Sequence, residues 1–179
     1  MQKGERMNIE SQIRTIPDYP VPGVMFRDIT TLLKCSKAFH ETISLLAERY
    51  QHSNVEKIVG IESRGFIFGA SLADRLKTGF VPIRKKGKLP YETVSQEYSL
   101  EYGTDTIEVH TDAVGPGEKI LIIDDLIATG GTALAAYELM KKMKAMVLSC
   151  CFIVDLPGLG GRKRLEAEGI DVFSLCSFA

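Results

Sequence analysis

The stretch Leu121-Ile-Ile-Asp-Asp-Leu-Ile-Ala-Thr-Gly-Gly-Thr132 limits the possible folds more than any other part of the chain. The apolar run Ile120 to Ile123 predicts a short strand buried on both faces. It ends in two acids, and a turn of small residues then opens a helix expected from about Thr132 to Lys144. In parallel sheets, ligands collect where strand C-terminal ends meet helix N-termini, and this segment has that order. Other segments repeat the rhythm. Ser36 is placed to cap a helix with Phe39, Ile43, Leu46 and Tyr50 on one face. Lys57 to Ile61 reads as a buried strand, followed by a helix from about Phe66 to Leu76 that ends at a left-handed Gly79. Phe80 to Arg84 is a strand with one edge unpaired at Pro82. Strands at Val147 to Val154 and Ile170 to Leu175 flank a glycine loop, Gly158 to Gly161, and a short charged helix stopping near Gly169. Strands separated by helices imply right-handed crossovers. The expected class is α/β, a parallel twisted sheet with helices on both faces.

One region breaks the rhythm. Residues 85–117 show no helical period, but alternation at Thr93 to Leu100 and Thr106 to His110 flanks Gly103-Thr-Asp105. A β-hairpin or flexible flap inserted between two core strands is expected there, and connections of that length are usually functional. The 179 residues suit a single domain, 1–179, with residues 1–34 a small N-terminal hood before the first long helix.

Composition excludes several function classes. Lys and Arg number 22 against 23 Asp and Glu, so a formal net charge of −1 offers nucleic acid no general attraction. No apolar run approaches the ~18 residues of a membrane span, and residues 1–10 lack the apolar core of a signal peptide. Cys35, Cys150, Cys151 and Cys176 form no Cys-x-x-Cys pair and have no His cluster beside them, which argues against zinc. Three of them sit in apolar runs as small hydrophobes. A reducing, cytoplasmic setting is expected.

The turn after Ile123 carries the clearest chemistry. Backbone amides of Ala128 to Thr132 would point above the strand, Thr129 and Thr132 add hydroxyls, and the helix dipole favours an anion. Gly130 and Gly131 let the backbone approach a phosphate. Asp124 and Asp125 would repel that phosphate and instead suit sugar hydroxyls or a hydrated Mg²⁺. A Walker loop is absent, and Gly158-x-Gly160 fails as a dinucleotide fingerprint because Lys163 replaces the third glycine. Glu62-Ser-Arg-Gly65 also joins a strand to a helix, so its amides, Ser63 and Arg64 can grip a second anion. Arg84, Lys85, Lys86 and Lys88 place four cations within five residues at a strand end, in a chain with no net positive charge to account for them, which favours an anion clamp over a solvated face.

The hydrophobic run, Asp-Asp and Ala-Thr-Gly-Gly-Thr resemble the 5-phosphoribosyl 1-pyrophosphate motif of the type I phosphoribosyltransferases. Pro22-Gly-Val-Met-Phe-Arg-Asp28, Glu62-Ser-Arg-Gly-Phe66, Ile83-Arg-Lys-Lys-Gly-Lys-Leu-Pro90 and Ser99-Leu-Glu-Tyr-Gly103 are similar to the adenine-using branch of that family. The resemblance implies purine salvage: AMP and pyrophosphate formed from adenine and 5-phosphoribosyl 1-pyrophosphate. It implies Mg²⁺ carried in on the sugar pyrophosphate with no direct protein ligand, and a homodimer. Residues 62–65 would be the pyrophosphate loop, with Glu62, Ser63, Arg64, Arg84, Lys88 and Tyr102 as contacts. The leaving group would depart into the positive charge of Arg64, Arg84 and Lys88.

In relatives that use 6-oxopurines the phosphate loop supplies an aspartate where this chain has Ala128. Glu101 on the flap therefore matches the proposed catalytic glutamate of the adenine enzymes. Phe26 and Leu156 would sandwich the purine while backbone groups of Met25 and Arg27 read its edge. Read from sequence alone, those two side chains are ordinary core residues. A phosphoribosyltransferase for another base and a non-catalytic regulator of the same fold are the rival readings. His40, His52 and His110 match no motif and receive no role.

Overall fold

The computed structural model describes residues 7–99 and 103–179. Ahead of the main sheet lie β1 (Arg14–Ile16), β2 (Phe26–Asp28) and a short helix α1 (Thr30–Lys34). The first two pair antiparallel as a separate two-stranded sheet, with Thr15 opposite Arg27. This is the hood. Then follow α2 (Ser36–Tyr50), β3 (Lys57–Ile61), α3 (Gly65–Leu76), β4 (Gly79–Lys85), β5 (Thr93–Ser99) and β6 (Thr104–His110). The chain closes with β7 (Lys119–Ile127), α4 (Gly131–Lys142), β8 (Met146–Asp155), α5 (Gly161–Ala167) and β9 (Val172–Ser177).

The main sheet has seven strands in the order β5-β6-β4-β3-β7-β8-β9. The run β4-β3-β7-β8-β9 is parallel, while β5 and β6 extend it antiparallel at one edge. The expected hairpin therefore belongs to the sheet itself. β6 joins β4 only at Arg84 and Lys85, so Pro82 keeps its β3 partner Gly60 and faces no strand on its other side. That is the unpaired edge a proline requires.

Alternation along the strands sorts the core into two layers. Ile120 and Ile122 turn to one face with Ala136, Leu139, Met140 and Leu165 of α4 and α5. Leu121 and Ile123 turn to the other, with Leu46, Phe68 and Leu72 of α2 and α3. A strand covered on both sides must be apolar throughout, which is why Ile120 to Ile123 carries no polar residue.

Three expectations change in detail. Ser36 starts α2 as a helical residue and makes no side-chain cap bond; Cys35 is the flanking residue. Lys77, not Gly79, takes the left-handed position closing α3 at φ 57°, and Gly79 already begins β4. Finally, β7 does not stop at the acids but runs on to Ile127. Its partner β8 extends just as far, pairing Asp124 with Phe152 and Ile127 with Asp155.

Candidate active site

Because β7 continues through the acids, its pleat separates them. Asp124 follows Ile120 and Ile122 and lines a cavity of about 120 Å³ together with Leu126 and residues 127–133. Asp125 is buried, and its carboxylate lies 2.5 Å from Nε of Arg64 at the start of α3. The two carboxylates therefore have different surroundings, a cavity for Asp124 and Arg64 for Asp125. Burial, reinforced by the neighbouring Asp125 charge, pushes the Asp124 carboxyl up, although its Oδ1 accepts the Asp125 amide at 2.8 Å.

Among the described residues, no amide from Ala128 to Thr132 donates to a protein acceptor. The residues that carry these donors line the cavity at the N-terminus of α4, a position that suits an anion. Gly130 takes φ 77°, yet the Cβ it lacks would not fill the cavity. It would meet Gly161 O and Leu165 Cδ1, each at 2.9 Å. The opposite wall is tighter: a Cβ on Gly161 would stand 2.3 Å from Ala128 O, to which the Gly161 amide donates at 2.9 Å. Glycine at 130 is needed to pack against α5, and Gly161 is its counterpart. Arg164 on the same helix reaches the carbonyl of Thr129 at 3.5 Å.

The second anion loop lies at the end of the adjacent strand β3. Ser63 and Arg64 are exposed, whereas the Glu62 side chain is largely buried. Its carboxylate accepts from Lys88 Nζ at 2.5 Å, from the Lys85 amide at 3.0 Å and from Arg84 Nε at 3.2 Å. Burial opposes the charge, but Lys88, the Lys85 amide and Arg84 outweigh it and hold the carboxyl at about 2. Glu62 thus gathers Arg84 and Lys88 of the basic run. Lys85 is turned away, paired with Asp105 at 3.1 Å. Arg84 and Lys88, the expected clamp, are the two brought together.

The hairpin leans over α4. Lys142 Nζ donates to the Ser95 carbonyl at 3.0 Å, and the Tyr98 hydroxyl donates to Asp105 at 3.3 Å. The Ser99 carbonyl lies 3.5 Å from where a Cβ of Gly131 would sit, so the end of β5 stands at the edge of the β7–α4 turn. Glu101 and Tyr102 lie outside the described residues. On the hood, Phe26 is half-buried and meets Tyr19 edge-on at 5.2 Å, while Met25 is half-exposed. Leu156 follows β8, half-buried, with its amide donating to Ile127 O at 3.0 Å. His40 and His52 are exposed, and His110 ends β6 with its ring edge-on to Tyr91. No helix among the described residues is long and apolar enough to cross a membrane.

A model of the phosphoribosyl transferase domain matches residues 28–175. The adenine phosphoribosyltransferase of Chelativorans is 59% identical over 166 residues, covering 93% of this chain and 92% of the relative. The crystal structure of adenine phosphoribosyltransferase from Thermoanaerobacter pseudethanolicus superposes with a TM-score of 0.90 at 49% identity, over 95% of this chain and 98% of that one. The enzyme from Saccharomyces cerevisiae, solved with an imino-altritol bisphosphate and adenine, gives a TM-score of 0.87 at 38% identity, covering 93% and 96%.

The chain belongs to the adenine phosphoribosyltransferases.

Within this adenine phosphoribosyltransferase framework, sequence reasoning singled out the β7–α4 turn, the β3–α3 turn and the basic run, which the Arg64–Asp125 and Glu62–Arg84 contacts join. It missed the supports behind them. Gly161 and Arg164 read as a loop glycine and a surface charge, though the doubled glycine Gly160-Gly161 at a helix start hinted at close backbone contact. The role of Phe178 at the chain's end had no sequence signal at all. Its ring carries the Arg27 guanidinium at 4.2 Å, and its amide donates to Asp155 O at 3.0 Å.

Proposed function

We propose that adenine and 5-phosphoribosyl 1-pyrophosphate react in the cleft above β3 and β7 to give AMP and pyrophosphate. The observation that carries this assignment is the set of unclaimed amides from Ala128 to Thr132 around a cavity that also contains Asp124. The amides, with the Thr129 and Thr132 hydroxyls, hold the 5-phosphate, and Gly130 and Gly131 shape the loop. Asp124 faces the ribose hydroxyls. Asp125 holds Arg64 at the mouth of the second loop, where the exposed guanidinium edge and Ser63 meet the pyrophosphate. Arg84 and Lys88, gathered by Glu62, complete that half of the site.

As the glycosidic bond to pyrophosphate breaks, negative charge grows on the leaving oxygens and positive charge on the sugar. Arg64, Arg84 and Lys88 lower the cost of the first. The purine nitrogen forms the new bond to C1 of the sugar and must lose a proton. Ala128 supplies no acid, so Glu101 takes that role, with Tyr102 beside it against the pyrophosphate. Ser99 brings the chain to the rim of the phosphate loop only two residues earlier. Phe26 and Leu156 enclose the adenine ring, and backbone groups of Met25 and Arg27 meet its edge.

Among the described residues no group of three or more His, Cys, Asp and Glu could hold a metal ion. The donors present, chiefly Asp124, fit a Mg²⁺ that arrives coordinated by substrate oxygens and takes at most water-mediated contacts from Asp124 and Asp125. When bound, that ion supplies charge neutralisation on the pyrophosphate. A cytoplasmic homodimer is the proposed working form, checked by sedimentation equilibrium.

Glu101→Gln tests the chemistry. It keeps size and hydrogen-bonding capacity but cannot accept the proton, so kcat should fall by about 10²- to 10⁴-fold. Calorimetric affinity for the sugar pyrophosphate should stay near wild type. Nearly full kcat would remove Glu101 from the mechanism. Lost sugar-pyrophosphate affinity would make it a support of the flap.

A further inference from the structure

The two walls assigned to adenine come from separate pieces of the fold. Phe26 sits on a two-stranded hood that shares no strand pairing with the main sheet, and Leu156 follows the last residue of β8. A connection between them exists at the far end of the chain. Phe178 leaves β9 and its amide donates to the carbonyl of Asp155, the residue directly before Leu156. Its ring and Leu156 pack against the same core layer. That ring also carries the guanidinium of Arg27, the residue directly after Phe26, at 4.2 Å from the centroid.

Arg27 is otherwise sparsely held. Its Nη1 donates to Thr15 Oγ1 at 2.5 Å on the paired strand, and its Nε is buried without a hydrogen-bond partner. Thr15 belongs to the hood and cannot anchor the hood to anything else. A partly buried guanidinium whose buried Nε lacks a hydrogen-bond partner gains from a π face. The contact with Phe178 thus joins the hood, residue by residue, to the β8 end: Phe26 to Arg27, Arg27 to Phe178, Phe178 to Asp155, Asp155 to Leu156.

We infer that Phe178 is a positioning residue for the purine site, setting the separation of Phe26 and Leu156 by holding Arg27 against the end of β8. The inference rests on the assignment of those two side chains to adenine. It requires an aromatic face at position 178, and not merely bulk. It also requires that the sugar and pyrophosphate halves, built on β3 and β7, be indifferent to the change.

The test is steady-state kinetics on the full-length enzyme with Phe178→Leu, Phe178→Tyr and Arg27→Met. Phe178→Leu retains apolar volume and loses the π face, so KM for adenine should rise about three- to thirtyfold, the range a partly desolvated cation–π contact spans. KM for 5-phosphoribosyl 1-pyrophosphate and kcat at saturation should remain within about twofold of wild type. Phe178→Tyr should restore the wild-type KM. Arg27→Met should raise KM for adenine, and adding Phe178→Leu should raise it no further, because the two act through one contact. Wild-type behaviour of Phe178→Leu, or equal losses toward both substrates, would overturn the inference. Wild-type enzyme that forms no AMP from adenine would instead sink the underlying site assignment.

Discussion

Gly130 and Gly161 stand back to back behind the phosphate cavity, and the atoms they lack decide how that cavity tolerates change. Gly161→Ala places a methyl 2.3 Å from a carbonyl oxygen, and neither partner is a movable side-chain end. The loop must shift, at a cost of about 1–3 kcal/mol in stability, together with lost affinity for the sugar pyrophosphate. Gly131→Ala is the control. Its nearest contact is the Ser99 carbonyl at 3.5 Å, so stability should change by no more than about 0.5 kcal/mol. Thermal melts with and without 5-phosphoribosyl 1-pyrophosphate separate the two. Equal behaviour of the pair would mean the α5 contact does not shape the loop. Sequence reading anticipated glycine at 130 for close approach of a phosphate, and the structure adds a packing partner, Gly161, that the reading did not include. Which way a missing Cβ points depends on a helix thirty residues later in the chain, and no local pattern contains that.

At the scale of elements, the β3–α3 loop and the start of the flap are joined through one carboxylate. Glu62 ordinarily near 4.5 is held at about 2, so its ionic contribution is complete above pH ~4.5 and is lost as pH falls toward 2. The hood has a parallel device. Asp28, held at about 2 chiefly by Thr30 and then by Arg14, loses its contribution between about 3.8 and 2. Acid titration should therefore unfasten both elements in the same window, and Asp28→Asn should flatten the hood's share. By analogy with hydrogen bonds to charged groups, that substitution should cost about 1.5–3 kcal/mol near neutral pH. Urea melts at pH 7 and pH 3 measure it, and an unchanged pH dependence would discount Asp28.

Lys88→Ala addresses the same clamp from the other side. KM for pyrophosphate in the reverse reaction should rise, and the effect should shrink with added salt, since Lys88 is half-exposed. An unchanged KM would reduce the basic run to a solvated face. The cluster of cations was legible from residue order alone. The acid that organises it was legible only as part of a turn, because Glu62 is 22 residues from Arg84 and meets it only through strand pairing.

Across the whole molecule, the two-layer core was readable because a strand buried on both faces leaves an unbroken apolar run. The antiparallel extension was readable as a hairpin, though not as part of the main sheet, since edge membership depends on a two-residue junction at Arg84 and Lys85. The same core makes a simple global prediction. Burial pushes the Cys150 and Cys151 thiols up to about 12, so both should resist alkylation at pH 8 until the fold opens. Mass spectrometry of briefly alkylated native protein should find them unmodified and the half-buried Cys35 labelled first. Early labelling of Cys151 would contradict a closed α2–α3 layer.

The placement of the two anion loops on neighbouring parallel strands has a metrical consequence. Gly60 of β3 is registered with Ile123 of β7, and adjacent strands stand about 4.8 Å apart. Backbone hydrogen bonding, which no side chain can stretch, therefore sets the interval between the two loops and, on the proposed function, the spacing of their phosphate and pyrophosphate contacts. The sheet acts as a gauge. A homologue of 5-phosphoribosyl 1-pyrophosphate lengthened by one methylene between ring and phosphate should engage one loop or the other but not both. Insertions in the flap or hood should not rescue it, because neither element lies between the marks.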